Sequence, residues 1–230
     1  MFRNYLQRAE IAISAEEFES VVESHLDRLA LACDGSLSLT DDELLRYKVP
    51  ELTPDGACSI FEDLAEEPYD LTRVVGELTP EIRTLLVKLH QVVNYVVSQS
   101  DVEWFGIYRG FAVDNEDPVL AKLAYFGVPS RAEFPLTEDF MSRSNNVNVA
   151  FTGKARVIND IQQYVLDGGE YYTCDPKVES EVCLPIFDYQ GNSIGIIDAE
   201  AFSKDFFNGN EQALMVAVCM YLSDLFMAEL

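Results

Sequence analysis

The chain has 230 residues, 48% of them hydrophobic, which is enough to bury a substantial core in one domain with an extension. Sixteen Lys and Arg stand against 40 Asp and Glu, a formal net charge of −24 at pH 7, and so negative a surface repels phosphate backbones, which excludes nucleic acid as the expected partner. Five cysteines, at 33, 58, 174, 183 and 219, are an odd number without a CxxC pair, so neither a disulfide framework nor a structural zinc site is expected.

The opening residues lack the unbroken apolar segment of a secretory signal, and no later stretch reads as a bilayer span, so a cytoplasmic protein without membrane contact is expected. His25 and His90 sit apart on helical segments without acidic or thiol neighbours at ligand spacing, and no metal or cofactor is implied. The acidic excess serves solubility and needs no partner.

Residues 1–78 read as a helical, acidic extension. Ser14 followed by Glu17 resembles a capping box, and Phe18, Val21, Val22, Leu26, Leu29 and Ala30 keep helix spacing until Gly35. A second short helix is predicted from Thr40, with Leu44, Leu45 and Tyr47 facing inward, before Pro50 and Pro54 break the pattern. A further short helix is predicted around Ile60, Phe61 and Leu64.

From Thr79, an N-cap followed by Pro80 at the first helical position, a broad apolar stripe runs through Ile82, Leu85, Leu86, Leu89, Val92, Val93, Val96 and Val97 to about Ser100. Two strands, Glu103 to Tyr108 and Val119 to Phe126, form a predicted hairpin, and a second hairpin joins Val182 to Phe187 with Ser193 to Ala199. Between the hairpins lie a predicted helix near Asn146 to Thr152, a strand at Arg156 to Ile158 and a helical Asp160 to Leu166. A final helix from about Asn210 carries Leu214, Ala217, Val218, Tyr221, Leu222, Leu225 and Phe226. This order implies an α+β domain over 79–230, an antiparallel sheet flanked by helices.

One stretch carries chemistry. Cys174 precedes a predicted helix start at Asp175-Pro176, whose partial positive charge would favour the thiolate while Asp175 opposes it. Glu181, Asp198 and Glu200 follow where the chain turns into the sheet, with Asp198 and Glu200 on one strand face. A thiol-dependent redox pocket is one interpretation. A loop cysteine beside a solvated sheet edge is the other. Trp104 and Tyr108 share a strand face and suit either a pocket wall or the core. Cys219 and Cys183 read as buried hydrophobes, whereas Cys33 and Cys58 lie beside glycines in the extension.

These motifs resemble the GAF fold, and within it the free methionine-(R)-sulfoxide reductases. The resemblance rests on Trp104-Phe105-Gly106-Ile107-Tyr108, on Cys174-Asp175 with Ser180-Glu181 at matching spacing, and on Gly195-Ile196-Ile197 before Asp198-Ala199-Glu200. It implies a GAF-like antiparallel sheet flanked by helices, with the N-terminal helical segment outside the family pattern. It further implies that Cys174 attacks the sulfoxide sulfur, that Glu181, Asp198 and Glu200 hold the substrate ammonium, one of them acting as the acid, and that Ser180, Trp104 and Tyr108 line the site. Two further family cysteines are missing, their positions falling near Arg131 and at Asn146, and Asn145-Asn146-Val147-Asn148 replaces a glycine-x-cysteine-glycine helix start.

Two functions follow from the resemblance. One is reduction of free methionine-R-sulfoxide, with an external thiol recycling Cys174 unless Cys33 or Cys58 substitutes for the missing thiol. The other is a non-catalytic sensor that binds a small metabolite and signals by association, with the terminal helices pairing two copies as a homodimer.

Overall fold

The computed structural model describes residues 1–52, 64–171 and 175–229. The N-terminal segment contributes α1 (Phe2–Ala9), α2 (Ala15–Cys33), α3 (Asp41–Leu45), the two-residue strands β1 (Arg46–Tyr47) and β2 (Tyr69–Asp70), and α4 (Thr72–Val75). After it come α5 (Pro80–Gln99), β3 (Trp104–Phe111), β4 (Val119–Phe126), β5 (Glu133–Pro135), α6 (Glu138–Met141) and α7 (Asn145–Thr152). The chain closes with β6 (Arg156–Ile158), α8 (Ile161–Leu166), β7 (Ser180–Phe187), β8 (Ser193–Ala201) and α9 (Gly209–Glu229).

The predicted caps form. The Ser14 hydroxyl accepts the Glu17 N–H at 3.3 Å, Thr40 and Glu43 make a reciprocal capping box, and Thr79 caps α5 with Pro80 in its first turn. Tyr47 departs from expectation. The short helix ends at Leu45, Arg46 turns extended, and Tyr47 pairs with Tyr69 across a miniature antiparallel ladder tied by an Arg46–Asp70 ion pair at 3.1 Å. In the helix predicted around Ile60, residues 60 and 61 lie outside the described residues, and Leu64 forms an isolated bridge with Pro50.

Six antiparallel strands form the main sheet in the order β5-β4-β3-β8-β7-β6. Alternation divides its side chains between two cores. Phe105, Ile107, Val182, Leu184, Ile197 and Ala199 meet α5 and α9, and Phe2, Leu6, Val22, Leu29 and Leu44 of the N-terminal segment join that same core. On the opposite face Trp104, Tyr108, Cys183 and Ile196 pack with Phe134, Phe140, Val147 and Val149 beneath α6 and α7. The long α9 is apolar enough over Gly209–Ala228 to pass as a membrane span, which the sequence reading did not anticipate, yet most of that window is buried within the protein.

A β-bulge sets the second face. The β3–β4 register pairs Ile107 with Ala124 and then Tyr108 with Lys122, skipping Leu123. One extra residue resets the alternation, so Lys122 and Tyr125, three positions apart, both face α6 and α7.

The helix expected at Asp175 does not form. Asp175 to Val178 make a single turn, closed by Val178 N–H to the Asp175 carbonyl at 3.1 Å and by Lys177 N–H to the Asp175 carboxylate at 2.8 Å, and the chain enters β7 two residues later. Four residues are too few to nucleate a helix before the sheet register takes over. Among the described residues, no helix start follows position 174 to favour a thiolate there.

Gly195 allows β8 to close on β3, because a Cβ there would lie 2.3 Å from the Tyr108 carbonyl oxygen. Backbone cannot swing aside as a side chain can. Gly195→Ala is expected to lower stability in urea denaturation by about 1–3 kcal/mol, the usual cost of overpacking; an unchanged midpoint would contradict the close approach.

Candidate functional site

The second face holds the carboxylates. Register places Glu181 opposite Glu200 and Cys183 opposite Asp198, while β3 sets Gly106 beside Asp198 and Trp104 beside Glu200. Glu181 and Asp198 are each 5% exposed, so two acids meet inside the protein. The start of α7 supplies amides to both: Asn145 Nδ2 donates to Glu181 Oε1 at 3.1 Å, and Asn146 Nδ2 donates to Asp198 Oδ2 at 3.0 Å. Ser144 caps that helix and so aims the two adjacent asparagines at the strands.

Glu181 is the better supported of the pair. Tyr171 donates a hydrogen bond to it, and Arg156, opposite Cys183 on β6, holds Asn145 Oδ1 at 2.7 Å and the Tyr164 hydroxyl at 2.9 Å, fixing which way the Asn145 amide points. Asp198 has its Asn146 donor, while its Oδ1 is buried without a hydrogen-bond partner among the described residues. Burial raises the pKa of both acids; Tyr171, Asn145 and Arg156 counter that rise at Glu181, whereas the neighbouring Glu181 and Glu200 charges reinforce it at Asp198. Asp198 is pushed well above the ordinary aspartate range and is the group that keeps a proton. A protonated Asp198 is a buried donor, and Glu181, raised less, is the one of the two that gives up its proton first. Cys183, fully buried beneath them, is pushed up by desolvation and then by the same two carboxylates, so it is an inert thiol.

Aromatic rings wall the other side. The Trp104 indole lies across Gly106, where a Cβ would come within 2.3 Å of its Cη2, and its N–H donates to the Val128 carbonyl at 3.1 Å. Its ring stacks near Tyr125, with centroids 6.4 Å apart, and tilts against Tyr108 at 6.3 Å. Between Trp104, Tyr125 and Tyr47 sits the Lys122 ammonium, 5.5, 4.1 and 5.2 Å from the three ring centroids, on a residue with no exposed surface. Lys122 Nζ also donates to the Ser130 hydroxyl at 2.6 Å and carbonyl at 3.0 Å. Each ring contributes about 0.5–2 kcal/mol, while desolvating an ammonium costs several kcal/mol.

Two cavities lie among the described residues. One of about 200 Å³ adjoins Asn145 and Arg156, lined also by Arg143, Tyr164 and Gly169, while a larger one of about 820 Å³ lies between the N-terminal segment and β5, away from the carboxylates. Among the described residues no group of His, Cys, Asp and Glu is arranged to hold a metal ion.

The family model described as GAF domain matches residues 84–224, more than half of the chain. This chain belongs to the GAF domain family. Its fold is similar to that of type II free methionine-R-sulfoxide reductase from Thermoplasma acidophilum, with a TM-score of 0.50 and 19% identity over 62% of this chain and 92% of that one. Free methionine-R-sulfoxide reductase from Neisseria meningitidis, solved with its substrate, gives 0.52 and 18% over 63% and 79%. A solved GAF domain gives 0.55 and 13% over 96% and 94%. Identities this low show a shared fold. Comparison with curated proteins gives no match.

The GAF sheet brings together five of the residues singled out from sequence: Trp104, Tyr108, Glu181, Asp198 and Glu200 share its second face. Ser180 is not among them, because it precedes Glu181 by one alternation and its hydroxyl donates to the Ser203 carbonyl at 2.8 Å. Cys174 and Cys58 lie outside the described residues. Cys33, expected in flexible surroundings, is buried at the end of α2 in the helical core, where desolvation raises its pKa, so it is remote from the carboxylate face of the sheet. Asn145, Arg156, Tyr171 and Lys122 join the GAF site without having been named for it. A lone arginine and lysine in strands of so acidic a chain were the available signal.

Because the Asp198 pKa is raised on folding, its contribution to stability is fully present below the unfolded aspartate value and is lost as pH rises through the folded value. Replacing Asp198 with Asn is therefore expected to raise the urea midpoint at pH 8 relative to wild type, with the advantage shrinking toward pH 4. A wild-type curve that gains on the variant as pH rises would contradict a buried protonated Asp198.

Proposed function

We propose that this GAF domain reduces the R-sulfoxide of free methionine, with Cys174 as nucleophile and Asp198 as proton donor. The observation that carries the reading is the buried Asp198 carboxyl, one oxygen without a partner among the described residues, beside an amide-held Glu181. It is supported by the Cys174-Asp175 and Ser180-Glu181 spacing and by the likeness to reductases of the same fold.

In this reading the Cys174 thiolate attacks the sulfoxide sulfur while Asp198 protonates the sulfoxide oxygen. The S–O bond breaks, the oxygen passes to Cys174 as a sulfenic acid, and the substrate leaves as the thioether. Sulfur of the substrate gains the two electrons that Cys174 loses. The proton that Cys174 gave up restores Asp198. An external thiol then condenses with the sulfenic acid, releasing water, and a second equivalent frees Cys174 as the reductant becomes a disulfide. An external reductant fits the loss of the two family cysteines, whose positions fall near Arg131 and at Asn146, and the burial of Cys33 in the other core; Cys58 is the remaining thiol of the N-terminal segment. A reducing compartment such as the cytoplasm would supply the reductant. Glu181 and Glu200 receive the substrate ammonium, and Trp104 with Tyr108 flank its thioether end.

A second reading, a GAF sensor that binds a small zwitterion without turnover, is favoured by one observation: the Asn145 and Asn146 amides pin both carboxylates from a helix start where the family pattern has a thiol. Signalling would then pass by association of two copies through the helical face.

Turnover of free methionine-R-sulfoxide with dithiothreitol as reductant separates the readings. Wild type is expected to release methionine, Cys174→Ser to release none while still binding substrate, and Asp198→Asn to lose about 10²–10⁴-fold in kcat/KM. The wild-type rate is expected to fall as pH rises through the elevated Asp198 value, since the donor is then deprotonated. Saturable binding with no methionine formed by wild type would move the assignment to the sensor.

A further inference from the structure

Glu181 receives the ammonium of an amino acid in the reading above, and nothing in that reading receives the carboxylate. Arg156 stands where such a group is needed. From β6, one of its Nη atoms donates both to Asn145 Oδ1 at 2.7 Å and to the Tyr164 hydroxyl at 2.9 Å. Asn145 then donates its own amide N–H to Glu181 Oε1 at 3.1 Å. A guanidinium and a carboxyl group are thereby held apart by the width of one amide and two hydrogen bonds. A free α-amino acid, with its two charges on either side of one carbon, spans that separation, its ammonium toward Glu181 and its carboxylate toward Arg156.

There is room on the Arg156 side. The cavity of about 200 Å³ is lined by Arg156, Arg143, Asn145 and Tyr164, and its one acid among the described residues, Glu170, is exposed. That volume takes a head group rather than a whole metabolite, for which pockets of about 300–1,000 Å³ are usual. Arg143 is committed to Asp139 at 3.1 Å. Arg156 has five N–H donors in a planar fork, and its two hydrogen bonds leave from a single Nη to neutral groups. Among the described residues its other donors take no hydrogen bond. In a chain of net charge −24, a carboxylate is repelled unless a cation meets it locally.

We propose that the cavity beside α7 is a carboxylate subsite, in which the Arg156 guanidinium takes the α-carboxylate of the free amino acid whose ammonium Glu181 receives. This rests on the reading of the carboxylate face as an amino-acid site and does not require turnover, so it serves a reductase and a zwitterion sensor alike. It also makes Arg156 a specificity determinant. A methionine sulfoxide inside a polypeptide has an uncharged amide at that position and offers the guanidinium no countercharge.

The test is calorimetric binding to the full chain at mildly acidic pH, comparing free L-methionine-R-sulfoxide with its α-amide, which keeps the ammonium and lacks the carboxylate charge. Wild type is expected to bind the acid about 10–100-fold more tightly, the usual worth of hydrogen bonds to a charged group. Arg156→Gln, which keeps a donor for Asn145, is expected to lose that preference by weakening the acid alone. If Arg156 only props Asn145 against Glu181, the variant weakens acid and amide by the same factor. That result, or a wild type that binds both equally or neither, would overturn the proposal. Should Arg156→Gln fail to fold, Arg156→Lys takes its place and is expected to shrink the preference, because an ammonium lacks the fork that bonds a carboxylate in two places; an unchanged preference would count against the subsite. An Arg156-dependent preference in a protein that forms no methionine would remove the reductase reading and keep the subsite. Equal turnover of acid and amide would do the reverse.

Discussion

Two carboxyl groups inside one sheet face cannot both be charged without partners, and the arrangement around Glu181 and Asp198 follows from that constraint. The sheet puts them on adjacent strands, and the other face is already committed to α5 and α9, so the acids are covered by the short α6–α7 layer. The groups around them then decide which acid gives up its proton first. Asn145, Tyr171 and Arg156 collect at Glu181, whereas Asp198 has one amide and, among the described residues, no partner for its other oxygen. The asymmetry turns a like-charge pair into a charged group beside a proton donor, the division of labour that acid-assisted attack on a sulfoxide needs.

The framework of the fold was legible in the sequence because its signals are local. Capping at Ser14, Thr40 and Thr79, the apolar stripe of α5 and the two hairpins each depend on residues within a few positions of one another. The face of the carboxylates was legible too, since period-2 alternation ties Asp198 to Glu200 and Trp104 to Tyr108. Where that rule fails, the site was hidden. A single inserted residue at Leu123 puts Lys122 and Tyr125 on one face, which alternation forbids, and no residue in β4 announces a bulge. Ser180 shows the converse error, a residue carried along by a motif although its strand position points it to Ser203.

Longer-range effects were beyond local reading. Asp175-Pro176 is a good helix start by composition, yet the register of β7 begins too soon for a helix to form. Tyr47 looked like a helix-face aromatic until its pairing with Tyr69, across 22 positions of sequence, placed it over Lys122. The N-terminal segment shares one apolar core with α5 and α9, and through Tyr47 it also reaches the opposite side of the sheet at β4. A single segment thus packs against both faces of the sheet.

The claim on which the account turns is that Asp198 holds its proton to higher pH than Glu181 does. Carboxyl-selective carbon-13 NMR of the ligand-free chain, titrated from acid to mildly alkaline pH with Asp198→Asn for assignment, measures this directly. The account predicts one aspartate carboxyl that titrates well above the ordinary aspartate range, and above Glu181, and that vanishes in the variant. An Asp198 that titrates with the surface aspartates, or below Glu181, would contradict it.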